Sequence, residues 1–378
     1  MQKRKFYILA HNPNTLEEAE EFLQAGANAL EPDICFDAET AERFFVSHGT
    51  LGSNPFTREH SLVSYLEGLR RMLEDASSGY NLALIAFDIK TPTFDINEFV
   101  NVVFDSFSRH PSCSGVAILI TVSSLSDIGF LNAYDGTKEN VAVGVDEEKS
   151  AHDVEAGFKR GAQKRYTYAN GSVVTVIKFG LFKSIMRAKG LQSQSGDDGF
   201  KLVYTWVLAR ELPIRSYLDL HIDGIIVDVG TVPHLLEILH DEHFLPMYEL
   251  AQNGYNPFAQ SPPPTYLLTI KTRDANFAGT DVPVIFTLQG SAGVLETVLD
   301  ANFRSVLEQG GEDFLTLEGE DIGGIISLTI TAKGSGLNPG WLPEFITLES
   351  RLLPATLTFQ YGPNEWLKLG HPITKTPG

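Results

Sequence analysis

The sequence predicts an α/β chain: a (β/α)8 TIM barrel followed by a C-terminal all-β sandwich. Three observations predict it. Short apolar runs alternate with helix-like segments over the first part of the 378 residues. Eight such strand-plus-connection units point to a parallel sheet closed on itself, with an open doubly wound sheet as the alternative. Near residue 253 the pattern changes to short alternating runs between Gly, Asn and Asp turns, the pattern of a sandwich.

Residues 6–10 read as the first strand. Thr15-Leu16-Glu17-Glu18 has the capping-box pattern and opens a helix that Gly26 ends. Residues 30–36, 82–89, 116–122, 141–145, 165–168, 202–207 and 224–227 supply seven more strands. Residues 61–73 have helical apolar spacing. Residues 259–264 contain Pro262-Pro263-Pro264, which cannot continue a helix or a sheet ladder and reads as a stiff linker. Beyond it, residues 266–271, 284–288, 314–317, 325–332, 345–349 and 356–359 alternate in strand fashion. The expected domains are therefore a barrel over 1–258, a sandwich over 265–370 and a tail over 371–378.

The bulk numbers narrow the function. The net charge is -19, and both parts of the chain are acidic. That excludes nucleic acid as a partner, because phosphate binding needs a basic surface. It also disfavours simple electrostatic docking on anionic membranes, leaving open a cation bridge between acidic loops and lipid. No apolar run approaches the roughly 20 residues of a membrane span. Cys35 and Cys113 are the two cysteines, so there is neither a disulfide framework nor a zinc-ligand spacing. The apolar stretch after Lys3-Arg4-Lys5 is too short for a signal-peptide core. The expectation is a leaderless cytoplasmic chain, or a secreted one whose leader has been removed. The oligomeric state is not legible.

The chemistry sits at strand ends. Glu31 and Asp33 lie two apart on strand two, so both face one side. Asp88 and Lys90 repeat that spacing at the end of strand three, His11 ends strand one, and His48 follows strand two. In a barrel these ends converge on one mouth, where active sites form. Three converging carboxylates repel, so either one takes a proton or a divalent cation sits among them. An all-oxygen set suits Mg²⁺. Two histidines beside such a cation suit acid–base chemistry at phosphorus, and Lys90 suits phosphate charge or the pinning of Asp88. Taken singly, a Glu-x-Asp pair is usually solvated and a His after a strand usually structural. The conjunction at three consecutive strand ends is harder to obtain by chance.

Residues 21–37, with Ala25-Gly26-Ala27-Asn28-Ala29-Leu30-Glu31-Pro32-Asp33 at their centre, resemble the sphingomyelinase D-type phospholipases D of the glycerophosphodiester phosphodiesterase-like barrels. The likeness continues through His48-Gly49, Phe87-Asp88-Ile89-Lys90-Thr91, Lys201 to Trp206, Ile222-Asp223-Gly224 and the Asn256-Pro257-Phe258 plug motif. It implies His11 and His48 as the acid–base pair, Glu31, Asp33 and Asp88 around Mg²⁺, Lys90 on phosphate, and Tyr204 and Trp206 lining a head-group pocket. Aromatic faces attract a quaternary ammonium by cation–π interaction. The implied substrate is sphingomyelin, ceramide phosphoethanolamine or a lysophospholipid, with cleavage by a hydroxyl of the same lipid to a cyclic phosphate. Two departures stand out: the loop after His48 has no cysteine, and Asp228 ends strand eight where relatives often carry Asn. The second region resembles a PLAT (lipoxygenase homology) domain through Thr269 to Asp274, Ala278 to Asp281, Gly340-Trp341-Leu342-Pro343 and Asn364-Glu365-Trp366-Leu367. That likeness implies peripheral membrane contact, with Asp274 and Asp281 as candidate Ca²⁺ ligands and Trp341 as a candidate insertion residue. The rival readings are a glycerophosphodiesterase for small soluble diesters and a catalytically silent lipid-binding protein.

Overall fold

The computed structural model describes residues 3–47, 60–75, 77–146, 150–171, 179–195, 198–260, 265–301 and 306–378. The chain divides into two compact units, residues 2–176 with 197–261, and residues 177–196 with 262–378.

The first unit is the expected closed parallel barrel. Its strands are β1 (Arg4–His11), β2 in two pieces (Ala29–Glu31 and Asp33–Phe36), β3 (Leu84–Ile89), β4 (Ala117–Val122), β5 (Val141–Val145), β6 (Tyr166–Gly171), β7 (Phe200–Trp206) and β8 (Gly224–Val227). Each pairs in parallel with the next, and β1 pairs with both β2 and β8, which closes the ring. Pro32 has no N–H to donate and splits β2 without changing the side-chain alternation. Helix α1 (Leu16–Ala25) carries the expected capping box of Thr15 and Glu18 and ends at Gly26, whose φ of 103° is open to glycine. Helix α2 (Leu62–Glu74) starts from Ser61, whose hydroxyl accepts from the Ser64 amide. Three short pairings among the described residues escaped the sequence pattern: Phe44–Val46 runs antiparallel to the end of β2, His60–Ser61 runs antiparallel to Phe44–Val46, and Tyr248–Leu250 runs parallel to the start of β1.

Alternation sets what fills the barrel. Ala29, Ala83, Ala117, Ala142 and Ala251 are small and buried, and Phe258 packs into the same cluster with Tyr7, Leu9, Leu119 and Leu202. Asn256 fixes the plug from both ends of its amide. Its carbonyl accepts from the Phe258 amide at 2.9 Å, and its NH2 donates to the Glu139 carbonyl at 3.0 Å.

The second unit holds two four-stranded antiparallel sheets. Its strands are β9 (Thr265–Thr272), β10 (Val284–Gly290), β11 (Val294–Leu299), β12 (Glu312–Glu318), β13 (Ile325–Ala332), β14 (Pro343–Glu349), β15 (Leu357–Gln360) and β16 (Ile373–Lys375). The order is β12-β9-β14-β15 in one sheet and β11-β10-β13-β16 in the other. Strand β16 falls where the sequence suggested a tail; it pairs with β13 and so belongs to the sandwich. Strand β11 was also missed, because its outward face alternates Val294, Glu296 and Val298. The prolines of the expected linker, 262–264, lie outside the described residues.

One helix departs from the expected domain boundary. Helix α3 (Phe179–Ser195) follows β6 in sequence, yet it folds with the sandwich. Its Phe182, Ile185, Met186 and Ala188 are buried. The Lys183 ammonium meets the buried Asp313 at 2.8 Å, and the Arg187 guanidinium lies 4.5 Å from the Phe314 ring centre. At Gly190 a Cβ would stand 2.8 Å from a Leu267 methyl, so glycine permits the close approach.

Phe258→Ala is expected to empty the plug position and lower barrel stability by about 3–5 kcal/mol. Urea unfolding of the two proteins measures it; a loss below about 1 kcal/mol would mean that Phe258 is not part of the core.

Candidate active site

The inward parity of four strands brings five polar side chains to the carboxyl-terminal rim: His11 on β1, Glu31 and Asp33 on β2, Asp88 on β3, and Trp206 on β7. Asp33 stands level with Asp88 in the β2–β3 register, and His11 stands level with Glu31 in the β1–β2 register. Glu31, Asp33 and Asp88 each offer an oxygen within 4.8 Å of the others, and all three are buried. Among the described residues this is the one group of three or more such side chains that close together.

The surrounding residues hold the carboxylates rather than dissipate their charge. The Asn12 amide donates to Glu31 Oε2 at 3.2 Å. Asn14 grips Asp33 twice, donating from Nδ2 to Oδ2 at 3.0 Å and accepting from the Asp33 amide at 2.8 Å. The Tyr65 hydroxyl donates to the Pro13 carbonyl at 2.7 Å and so anchors that loop. The Lys90 ammonium lies 2.8 Å from Asp33 Oδ1 and also bonds Asp88. Burial opposes the Lys90 charge, but Asp88 and Asp33 outweigh it and push its pKa up. Burial, followed by Asp88, Asp33 and Asp146, pushes Glu31 well above the carboxylate range. One ammonium therefore does not neutralise the cluster.

This donor set fits a hard divalent cation. It is all oxygen, small, desolvated and short of positive charge, the conditions under which a carboxylate otherwise takes a proton. Asp274 and Asp281, the candidate Ca²⁺ ligands, are engaged differently. Asp274 accepts from Gln309 Nε2 at 2.9 Å. Asp281 accepts from the Leu337 and Asn338 amides at 2.7 and 3.0 Å.

His11 Nδ1 lies 3.1 Å from Asp228 Oδ1. A carboxylate facing Nδ1 favours the tautomer in which Nδ1 donates to it, which leaves Nε2 as the acceptor nitrogen of the ring. His48 lies outside the described residues; the preceding Ser47 amide donates to the Asp33 carbonyl at 3.0 Å. Trp206 is half-buried, and its indole N–H donates to the Asp146 carbonyl at 2.6 Å, which fixes the ring plane. Tyr204 sits deeper than a pocket wall requires, at 3% exposure. Burial, then Asp146, Glu31 and Asp88, raise its phenol well above the usual value. It is thus a neutral floor beneath the carboxylates.

Two corrections follow. Trp341 does not face outward: it is 0% exposed, its ring packs edge-on to Phe286, and its N–H donates to Thr272 Oγ1 at 3.0 Å. It is a core residue of the sandwich and cannot enter a bilayer without unfolding. Asp146, a fourth buried carboxylate beside the cluster, was missed. The signal for it was present, since it is the first residue after β5, where the strand-end rule already applied.

A closed barrel with a buried acidic triad, an ammonium and a histidine at its rim has the form of an enzyme site, at the strand ends where barrel enzymes act. The family model described as dermonecrotic toxin SPH matches residues 1–258. The chain belongs to that family, the sphingomyelinase D type of phospholipase D phosphodiesterase. A second model, the PLAT/LH2 domain, matches residues 266–371. Among similar proteins, the dermonecrotic toxin LruSicTox-alphaIC1b of Loxosceles rufescens is 23% identical over 274 residues, covering 67% of this chain and 98% of the toxin. LapSicTox-alphaII1 of Loxosceles apachea is 24% identical over 278 residues, with the same coverage. Of solved structures, a coral 8R-lipoxygenase is 24% identical with a TM-score of 0.28, covering 30% of this chain and 17% of that one. The alpha toxin of Clostridium absonum is 20% identical with a TM-score of 0.24, covering 39% and 36%. Both superpositions are too loose to carry an argument.

Glu31→Gln relieves the repulsion and keeps an acceptor for the Asn12 amide. Without metal, the variant is expected to melt about 2–4 °C above the parent, the shift for roughly 1 kcal/mol. It should also lose the stabilisation that Mg²⁺ gives the parent. Calorimetric melting with and without Mg²⁺ checks both; a variant that melts lower and still responds to Mg²⁺ contradicts the charge argument.

Proposed function

We propose that the barrel cleaves lipid phosphodiesters in the phospholipase D manner and releases the head-group alcohol. The substrates are sphingomyelin, ceramide phosphoethanolamine or a lysophospholipid. The observation that carries this reading is the buried Glu31–Asp33–Asp88 group beside His11, whose Nδ1 is turned to Asp228.

Glu31, Asp33 and Asp88 would hold one Mg²⁺, which when bound offsets charge on the phosphate oxygens and makes phosphorus more electrophilic. Asn14 and Lys90 keep those carboxylates in place. The Lys90 ammonium, part exposed, adds a positive charge facing the phosphate. His11 and His48 are assigned as base and acid. One takes the proton of the attacking hydroxyl as its oxygen bonds to phosphorus. The other gives a proton to the head-group oxygen as the P–O bond to it breaks. When the attacking hydroxyl belongs to the same lipid, it is already tethered, its effective concentration is high, and the product is a cyclic phosphate. The Trp206 face suits the quaternary ammonium of choline, worth about 0.5–2 kcal/mol. The PLAT domain, on this reading, brings the enzyme to the lipid surface.

His11→Ala is expected to lower head-group release about 10³-fold with an unchanged unfolding midpoint. Release near the parent level would refute its role. EDTA should silence the parent and Mg²⁺ restore it, read by mass spectrometry of the lipid product; full turnover in EDTA would remove the metal from the mechanism.

A further inference from the structure

The chain passes from β1 to α1 through a short turn, and that turn is strained. Asn12 holds a φ of 51°, in the left-handed region. That region is costly for a residue with a Cβ, and the following Pro13 restricts the backbone of Asn12 further. Glycine and asparagine bear it best. An extended residue at this position would carry the strand onward and keep its N–H in the sheet ladder. The left-handed turn aims the Asn12 amide at a side chain instead, and it donates to Glu31 Oε2 at 3.2 Å.

A conformation of this kind persists only where its surroundings enforce it. The Asn14 amide donates to the Asn12 carbonyl at 2.8 Å and closes the turn around Pro13. Asn14 is buried and bonds Asp33 twice. The near end of the turn is fixed by β1, where His11 stands level with Glu31, and the far end by the Thr15–Glu18 capping box. The last tie comes from a different helix. Tyr65 on α2 is buried, and its hydroxyl donates to the Pro13 carbonyl at 2.7 Å. Burial, then Glu18, raises the Tyr65 phenol, so the hydroxyl keeps its proton and stays a donor.

We propose that residues 12–14 form one positioning element, set by the left-handed backbone of Asn12 and braced by Tyr65, that holds Glu31 and Asp33 ready for a cation with His11 beside them. The proposal rests on the metal and histidine reading above for what is being positioned. Asn12 holds one carboxylate and Asn14 the next, and His11 adjoins both in the chain. A shift of the turn therefore moves two sets of metal-holding oxygens and the histidine together. The Asn12 amide occupies one oxygen of Glu31 and leaves the other for the cation, as a fixed dipole that needs no rearrangement during the reaction. Small misplacements of reacting groups cost much rate, so Tyr65 governs turnover through Pro13 without touching phosphorus.

Titration calorimetry of Mg²⁺ binding and steady-state turnover of a monomeric short-chain phosphodiester test this on the full chain. Asn12→Ala keeps the amide and disfavours the turn, so it should weaken Mg²⁺ binding and lower kcat, each about tenfold. Asn12→Gly, at ease in the left-handed region, should recover most of both losses. Tyr65→Phe removes one hydroxyl and should weaken Mg²⁺ binding and lower kcat about three- to tenfold, with KM at the parent value. Tyr80→Phe, which removes a hydroxyl bonded to Glu20 on α1, should match the parent in both. A role in stability alone would move only the unfolding midpoint. An Asn12→Ala protein that matches the parent, an Asn12→Gly protein no better than Asn12→Ala, or a Tyr65→Phe protein whose midpoint falls while Mg²⁺ affinity and kcat hold would each overturn the proposal. The underlying reading fails separately. Turnover in a parent that binds no Mg²⁺ counts against the metal, and the order of the kcat values then decides the proposal. Binding without turnover counts against the phosphodiesterase, and the order of the affinities then decides it. A parent that does neither overturns both.

Discussion

Glu31, Asp33 and Asp88 are buried and crowd their oxygens within 4.8 Å, where like charges repel strongly. The barrel bears that cost by over-determining the geometry. Asn14 grips Asp33 at two points, Lys90 spans Asp33 and Asp88, and the Asn12 amide caps Glu31. Such an arrangement is unfavourable for stability in itself, and it makes chemical sense only as a place prepared for positive charge. The placement of His11 beside Glu31 follows from the same β1–β2 register that closes the barrel. Fold closure and site assembly are therefore one event.

The barrel builds this site with the carboxyl ends of its strands and stabilises itself at the other. Alanines at the start of β2, β4 and β5 leave room that the Phe258 plug fills. Packing at the floor and charge at the rim thus use different stretches of the same strands. In the sandwich a parallel division holds. Trp341 is buried against Phe286 and Thr272, while the adjoining loops, tied by Asn338 and Asp281, present apolar side chains to solvent.

Much of this was legible in the sequence because it depends on local periodicity. The eight barrel strands, the Thr15–Glu18 capping box, the Gly26 stop and the Glu31–Asp33 and Asp88–Lys90 pairs all read from spacing alone. What escaped depends on partners distant in the chain. The burial of Trp341 is decided by Thr272, 69 residues away. The assignment of α3 to the sandwich is decided by Asp313 and Phe314, not by the helix's own pattern. Strand β16 is short and polar, and it exists because β13 offers it an edge. Asp146 is the exception: its strand-end position was visible, and its importance became clear only from its closeness to Glu31.

On this reading three carboxylates from two adjacent strands would share one divalent cation beside His11. Anomalous diffraction from crystals soaked in Mn²⁺, a substitute for Mg²⁺ with a strong signal, tests it most directly. The account predicts one strong peak in the barrel, about 2.0–2.3 Å from an oxygen of each of Glu31, Asp33 and Asp88. A barrel that gives no peak there at saturating Mn²⁺, or whose peak lies away from these three side chains, would contradict it.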